Sequence, residues 1–548
     1  MNQLIKQIQS DHTEHPEQFN SNEALPISVF KAKTELDEQS STGLNGQFIH
    51  SQLLIECLIR MKPTSNEKQE LADFCKEEYK DNPDQLEIVK EFERDYTLDR
   101  SLWWYTRDSF LYRLLNKALR VQNIDLLYLF RFFIRDLRNA LEQHKCSSVM
   151  SSYRAQRMLR EEIDTLRKSV GEFISMNSFF STSINRNEAR RFWQFETVQD
   201  DIEEVFFEIT SNPNLDNIKP FADITELSFY PKEKEVLFMA GSIFRLSDIR
   251  QNTDGVWIIQ MTLCSENDNK LQTLLQYLKQ ELGSDETNLL SFSNTLYQMG
   301  RLDHAEKYAQ LYLDSLSANH QHITNCYQVF GNIADKRGEC DVSLRWYQKA
   351  LKMEMEKEKT PVSAVYSLLN CISSIYRKRG EYTLALKCYE KALEIGVKHY
   401  GKNHPNIAMC LTNIGTVCHQ DKNYEKALYF HQKALSICEK YLPADHSDIG
   451  VLHNNIGTVY QGLGNFDEAL KHYNIDLQIV RKALPPHHPN IAVSLENIGL
   501  VYAAKGDFET SLQYLYEASD IFRKTLSLTH QSVIKIDQSI QRVRSKKK

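Results

Sequence analysis

No stretch of this 548-residue chain is apolar for long enough to cross a bilayer. The most hydrophobic window, Leu126 to Ile134, contains Arg131 and is far shorter than the roughly 20 residues that a spanning helix needs. The opening Met1-Asn-Gln-Leu-Ile-Lys-Gln has no apolar core of the kind that secretory signals carry, so the expectation is a soluble, cytoplasmic protein with no membrane partner. Charge of one sign is also missing. The 66 Lys and Arg against 73 Asp and Glu leave a net charge of −7, which gives no reason to expect a nucleic-acid partner. The one basic run, Arg542 to Lys548, reads as a solubilising helix end. Among eleven cysteines there is no Cys-x-x-Cys pair and no metal-ligand spacing. Seven of them, from Cys326 to Cys438, fall in helical positions as reduced thiols, so no metal site is expected.

What is present changes period along the chain. Residues 1–45 are polar and read as poorly ordered, with an extended piece at Leu25 to Phe30. From Gln47 to about Glu142 the spacing is helical, with amphipathic runs at His50 to Met61 and Asn66 to Tyr79. A helix is predicted over Leu126 to Leu141, with Asp125 as its cap. Near Ser147 the period shortens to that of strands. The β-runs are Val149 to Ala155, Phe173 to Ser183, Val205 to Thr210, Leu227 to Tyr230, Glu235 to Ala240 and Val256 to Leu263, with a helix at Arg160 to Val170. Helices followed by a mostly antiparallel sheet make an α+β domain over 46–264.

A polar linker over 265–271 leads into a region that repeats itself every 42 residues. Asn-Ile-Gly recurs at Asn413, Asn455 and Asn497, while Gly331 and Ser373 hold the frame of Gly415, Gly457 and Gly499. A fixed period in this range marks a solenoid of helix pairs, here about six over 272–528, with a capping helix and basic tail over 529–548. His404, His446, His488 and His530 also recur in step. Stacked helices lie about 10 Å apart whereas a metal needs ligands at about 2 Å, so these histidines are read as inter-repeat loop contacts.

Two groups of motifs carry chemistry. In the solenoid, Asn413-Ile-Gly415 followed by Asn423-Tyr-Glu-Lys-Ala427-Leu, and the same frame through 455–476 and 497–518, resembles the tetratricopeptide repeats of kinesin light chains. That resemblance implies a concave groove in which Asn413, Asn455 and Asn497 grip the backbone of an extended peptide or protein ligand. In the first half, Glu233 and Glu235 flank the start of an apolar strand, two residues apart, where alternation places them on one face. Upstream stand Ser152-Tyr-Arg154-Ala-Gln156 and Phe179-Phe-Ser181-Thr-Ser183.

An arginine strand, then Ser-Thr-Ser, then Glu-x-Glu resembles the Arg-Ser-Glu class of NAD-dependent, arginine-specific mono-ADP-ribosyltransferases. The expected fold class is therefore multidomain, an α+β ADP-ribosyltransferase fold with N-terminal helices followed by an all-α tetratricopeptide solenoid. The resemblance implies that NAD is the substrate and that proteins with exposed arginines are the targets. It implies that Arg154 binds the phosphates, Glu235 stabilises the ribosyl cation, Ser181 orients Glu235, and Glu233 takes a proton from the attacking guanidinium. Ala155, Thr182 and Ser183 join the NAD-binding set, and Phe229 and Tyr230 meet the target. Where the family usually has glycine, this chain has Ala155, and a β-conformation accepts the added Cβ. An adaptor that has lost activity and an NAD glycohydrolase using water as acceptor are the alternative readings.

Overall fold

The computed structural model describes residues 27–30, 44–191, 202–265, 282, 286–317, 320–357, 361–483, 488–525 and 530–547. It divides into two compact units between Met299 and Gly300. All but the first residue of the linker expected over 265–271, and most of the polar N-terminus, lie outside the described residues.

The first unit opens with β1 (Ile27–Phe30), inside the expected extended piece. Seven helices follow: α1 (Leu44–Ile59), α2 (Glu67–Glu78), α3 (Pro83–Asp95), α4 (Ser101–Thr106), α5 (Phe110–Val121), α6 (Ile124–Leu129) and α7 (Arg131–Gln143). They pack through aromatic edges, with Phe92 set edge-on to Trp104 and Phe110 at 5.4 and 5.8 Å between ring centroids. The helix expected over Leu126 to Leu141 is two helices with a break at Phe130. Its cap is Asn123 rather than Asp125. The Asn123 side chain stands three residues before Leu126 and accepts that residue's N–H at 3.1 Å, while Asp125 lies inside the first turn.

The sheet is built from β2 (Met150–Leu159), α8 (Arg160–Arg167), β3 (Phe173–Met176), β4 (Phe180–Ser183), α9 (Arg186–Arg191), β5 (Ile202–Ser211), β6 (Phe221–Asp223), β7 (Glu235–Phe238), β8 (Ser242–Gln251) and β9 (Trp257–Leu263). Among the described residues the strand order is β1-β3-β8-β9-β5-β2-β4-β7-β6, antiparallel throughout except between β5 and β9. The run expected from Phe173 to Ser183 is thus two strands with different neighbours. Asn177 breaks it, because its amide is engaged by the hydroxyls of Ser175 and Ser28 at 3.1 and 2.6 Å. Leu227 to Tyr230 is not a strand. The N–H groups of Leu227 and Ser228 both donate to the carbonyl of Ile224 and close a turn.

A helix α10 (Leu289–Gln298) completes this unit. Phe292 lies 6.0 Å from Tyr128, and the Thr287 hydroxyl donates to the Cys57 carbonyl of α1 at 2.6 Å. The helix expected to begin the solenoid is therefore packed into the first unit, and the second unit begins at Gly300.

The second unit is helical throughout its described residues: α11 (Leu302–Ser315), then the pairs α12 (Ile323–Lys336) with α13 (Cys340–Met355), α14 (Val362–Lys378) with α15 (Tyr382–Tyr400), α16 (Pro405–Gln420) with α17 (Tyr424–Tyr441), α18 (Ser447–Gly462) with α19 (Phe466–Ala483), α20 (Pro489–Lys505) with α21 (Phe508–Thr525), and a closing α22 (Gln531–Lys547). The small residues in frame have a packing cause. A Cβ on Gly331, Gly415 or Gly457 would stand 2.4 to 2.9 Å from the ring of Tyr347, His431 or Tyr473 on the paired helix. The recurring histidines are helix caps. The Nδ1 atoms of His404, His446, His488 and His530 accept backbone N–H groups two residues on, at 3.1 to 3.2 Å.

Candidate active site

The strands β2, β4 and β7 lie side by side. Ser183 of β4 sits opposite Tyr153 of β2 on one side and Glu235 of β7 on the other. Beside that pairing, Arg154 reaches across to β4, where its Nη1 donates to the carbonyl of Ser181 at 2.8 Å. Its Nε donates to Gln156 Oε1 at 3.0 Å, and its guanidinium lies 5.3 Å from the Phe180 ring. The cation is thereby held by backbone, amide and ring, with no carboxylate among these partners. Ala155 is buried against Phe206 and Ala189.

The Ser-Thr-Ser segment divides its labour. Ser181 stands near enough to Glu235 to favour its ionised carboxylate. The Thr182 hydroxyl donates to the Val236 carbonyl at 3.0 Å. Ser183 donates to the Glu233 carbonyl at 2.7 Å and accepts the Asn185 N–H at 3.1 Å. Thr182 and Ser183 line the site, but their hydroxyls are taken up by backbone.

Glu233 and Glu235 do face one cavity, though not for the reason of strand alternation. Pro231–Glu233 is a turn of 3-10 helix, and Lys234 sits in the left-handed region at φ 50°. That conformation costs a non-glycine residue roughly 1–2 kcal/mol. It is pinned by Ser183 on Glu233 and by the Ile184 N–H donating to the Lys234 carbonyl at 3.1 Å. Glu235 is 6% exposed and Glu233 is half-buried.

Burial pushes the Glu235 carboxyl up to about 7, with the Glu233 charge adding to the rise and Ser181, Ser228 and Arg154 opposing it. Burial also raises Glu233, helped by the charge of Glu188. A consequence for stability follows. Below its ordinary value of 4.5 the Glu235 carboxyl is neutral in both the folded and unfolded states. Between 4.5 and about 7 only the unfolded state ionises, so the folded protein loses stability as pH rises, by on the order of 3 kcal/mol in full. Glu235→Gln is expected to melt several degrees above the wild type at pH 8 and close to it at pH 4.5. A difference that is the same at both pH values in calorimetry would refute this.

The cavity measures about 310 Å³ and has a second wall that sequence reasoning missed: Tyr105, Thr106, Asp108 and Tyr112, from α4, α5 and their connection. Tyr105 packs on Phe179 at 5.2 Å and on Tyr112 at 5.5 Å. The dense Trp103-Trp-Tyr105 run is the only signal the sequence offers for them. Thr106 accepts the Phe229 N–H at 2.8 Å, and Phe229 lies 5.3 Å from Trp103, so the loop before Glu233 is tied to the helices. Phe229 and Tyr230 remain 39% and 42% exposed.

The solenoid asparagines belong to the second unit. Asn413, Asn455 and Asn497 are half-buried on α16, α18 and α20. The Asn497 Nδ2 donates to Asn454 Oδ1 at 3.3 Å, and Asn454 in turn donates to the buried carboxylate of Asp476 at 2.9 Å.

No group of His, Cys, Asp and Glu able to hold a metal occurs among the described residues, and no helix of the described residues is long and apolar enough to cross a membrane. The chain resembles several solved structures. It is 19% identical to BtubC (BKLC) from P. vanneervenii, with a TM-score of 0.36 over 41% of this chain and 89% of that one. A Podosopora anserina putative kinesin light chain with nearly identical TPR-like repeats is 16% identical, with a TM-score of 0.34 over 38% and 98% of the two chains. The apo form of RapI is 18% identical, with a TM-score of 0.35 over 47% and 97%. No curated protein matches the chain. Residues 61–270 match the family model of NAD:arginine ADP-ribosyltransferases, and residues 365–440 and 448–524 match that of tetratricopeptide repeats. The chain therefore carries an NAD:arginine ADP-ribosyltransferase family domain, which spans the cavity between β2, β7 and the helices, followed by tetratricopeptide repeats.

Proposed function

We propose that the first unit transfers ADP-ribose from NAD to arginine side chains of target proteins, releasing nicotinamide, and that the solenoid recruits those targets or other protein partners. The observation that carries this reading is the convergence of Arg154, Ser181, Glu233 and Glu235 on one cavity. NAD brings two phosphates, and Arg154 is the cation suited to them. As the glycosidic bond breaks, its electron pair leaves with nicotinamide and the ribose becomes cation-like. The Glu235 carboxylate, held by Ser181, stabilises that charge in a water-poor site where it acts strongly. A guanidinium nitrogen of the target then bonds to the ribose carbon and gives its proton to Glu233. Ala155, Thr182 and Ser183 line the NAD side. Phe229 and Tyr230 offer the exposed contact for the target protein.

For the solenoid, the reading is an extended peptide gripped by Asn413, Asn455 and Asn497. No disulfide links cysteines among the described residues, which suits a reducing compartment, and we place the protein in the cytoplasm. One observation keeps a second reading in view: Ala155 stands where the family usually has glycine, as expected of an adaptor that has lost activity. The test is nicotinamide release from NAD, with and without agmatine as a free guanidine acceptor. The proposed reading expects release that agmatine accelerates. Release indifferent to agmatine would indicate a glycohydrolase, and no release under either condition an adaptor.

A further inference from the structure

Ser228 plays no part in the sequence motifs, yet its hydroxyl touches both halves of the site. Ser228 is 5% exposed in the turn that follows β6. Its Oγ–H donates to Glu235 Oε2 at 3.4 Å, and the same oxygen accepts the Tyr230 N–H at 3.1 Å. A hydroxyl has one proton to give and two lone pairs to receive with, so a single atom serves both contacts. The distance to Glu235 is long for an O–H donor, as catalytic hydrogen bonds often are before substrate binds.

We propose that Ser228 is a positioning residue, whose hydroxyl ties the Glu235 carboxylate to the backbone of the loop that carries Phe229 and Tyr230 and leads into Glu233. The proposal rests on the reading of Glu235 given above, and it deepens that reading. The far side of the same loop is anchored independently by Thr106 on the Phe229 N–H. Movement of Tyr230 against a target is therefore felt at Glu235 through one oxygen. The hydrogen bond also favours the ionised carboxylate. The groups facing Glu235 are Glu233, which opposes ionisation, and Arg154 and the hydroxyls of Ser181 and Ser228, which favour it; the Tyr105 phenol nearby has its own titration pushed well above its ordinary range by burial. Removing Ser228 takes away one of three supports.

The test uses the full chain with Ser228→Ala and with Ser228→Thr, which keeps the hydroxyl. For Ser228→Ala, the ratio of nicotinamide-release rates at about pH 6 and about pH 9 is expected to fall roughly three- to tenfold, as the acid limb moves up by half to one pH unit. Ser228→Thr is expected to restore the ratio. A separate readout needs no turnover: the carboxyl carbon of Glu235 in protein labelled at glutamate, assigned by its loss in Glu235→Gln, titrates higher in Ser228→Ala than in wild type. If wild type releases no nicotinamide, the transfer reading fails, and the carboxyl titration still decides the role of Ser228. An unmoved titration midpoint in a folded Ser228→Ala protein overturns the proposal.

Discussion

Glu235→Gln is expected to abolish both transfer to arginine and hydrolysis of NAD, whereas Glu233→Gln is expected to cripple transfer and leave slow hydrolysis. The difference rests on where the two carboxylates stand. Glu235 begins β7, is 6% exposed and has the Ser181 and Ser228 hydroxyls favouring its ionised form, the position suited to a ribosyl cation shielded from water. Glu233 lies on the preceding 3-10 turn, half-buried, where a side chain arriving from solvent can meet it. Both reactions pass through the same cation, so loss of the inner charge slows both. Removing one preorganised stabiliser of this kind typically costs about 3–4 kcal/mol, or roughly 100- to 1,000-fold in rate. Loss of the outer carboxylate leaves the cation to form and water to attack. NAD binding is expected to survive in both variants, since Arg154 is untouched. The assay is nicotinamide release by each variant with and without agmatine. Equal loss of hydrolysis in the two variants would remove the division of roles.

A comparably large effect, on folding, is expected from Arg131→Ala. Arg131 is 2% exposed in α7, and its Nε and Nη2 meet Glu67 and Glu70 of α2 at 3.1 and 2.9 Å. Its Nη1 donates to the Tyr128 carbonyl at 2.7 Å, and its guanidinium lies 4.0 Å from the Tyr128 ring. Arg135 also pairs with Glu67, so the cluster binds one helix to the other through shared carboxylates. Removing Arg131 leaves Glu70 without this partner and Glu67 with only one. Breaking a buried pair in this way costs about 3–5 kcal/mol, because the remaining charge is stranded away from water. The cost bears on the site because α7 packs on α4, which carries Tyr105 and Thr106. Arg131→Met combined with Glu70→Gln, which removes the carboxylate left without this partner while Glu67 keeps Arg135, is expected to recover part of the loss. Calorimetry of the three proteins decides; a melting temperature for Arg131→Ala within a degree of wild type contradicts the account.

The solenoid was legible because its evidence is repetition. A small residue recurs at 331, 373, 415, 457 and 499, and at the four glycines among these an added Cβ would meet Tyr347, His431, Tyr473 or Leu515 of the paired helix. The Arg, Ser-Thr-Ser and Glu-x-Glu segments were legible because each is local to a strand or its end. What was hidden is long-range or conformational. Nothing in Lys232-Glu-Lys-Glu235 announces that Lys234 adopts a left-handed backbone, which takes Glu233 off the strand. The conformation is imposed by bonds from Ser183 and Ile184, some fifty residues away in the chain. Tyr105 and Tyr112 read as ordinary helix residues until the helices fold against the sheet. Ser228 lay in what read as a strand, where its hydroxyl had no assigned partner. The run from Phe173 to Ser183 hid its break because Asn177 is satisfied by the distant Ser28.

The most direct test of the central claim is to incubate the full chain with NAD and agmatine and weigh the agmatine. The account predicts a product heavier by one ADP-ribosyl group, formed in step with released nicotinamide and absent with Glu235→Gln. Unmodified agmatine with no nicotinamide released would contradict it.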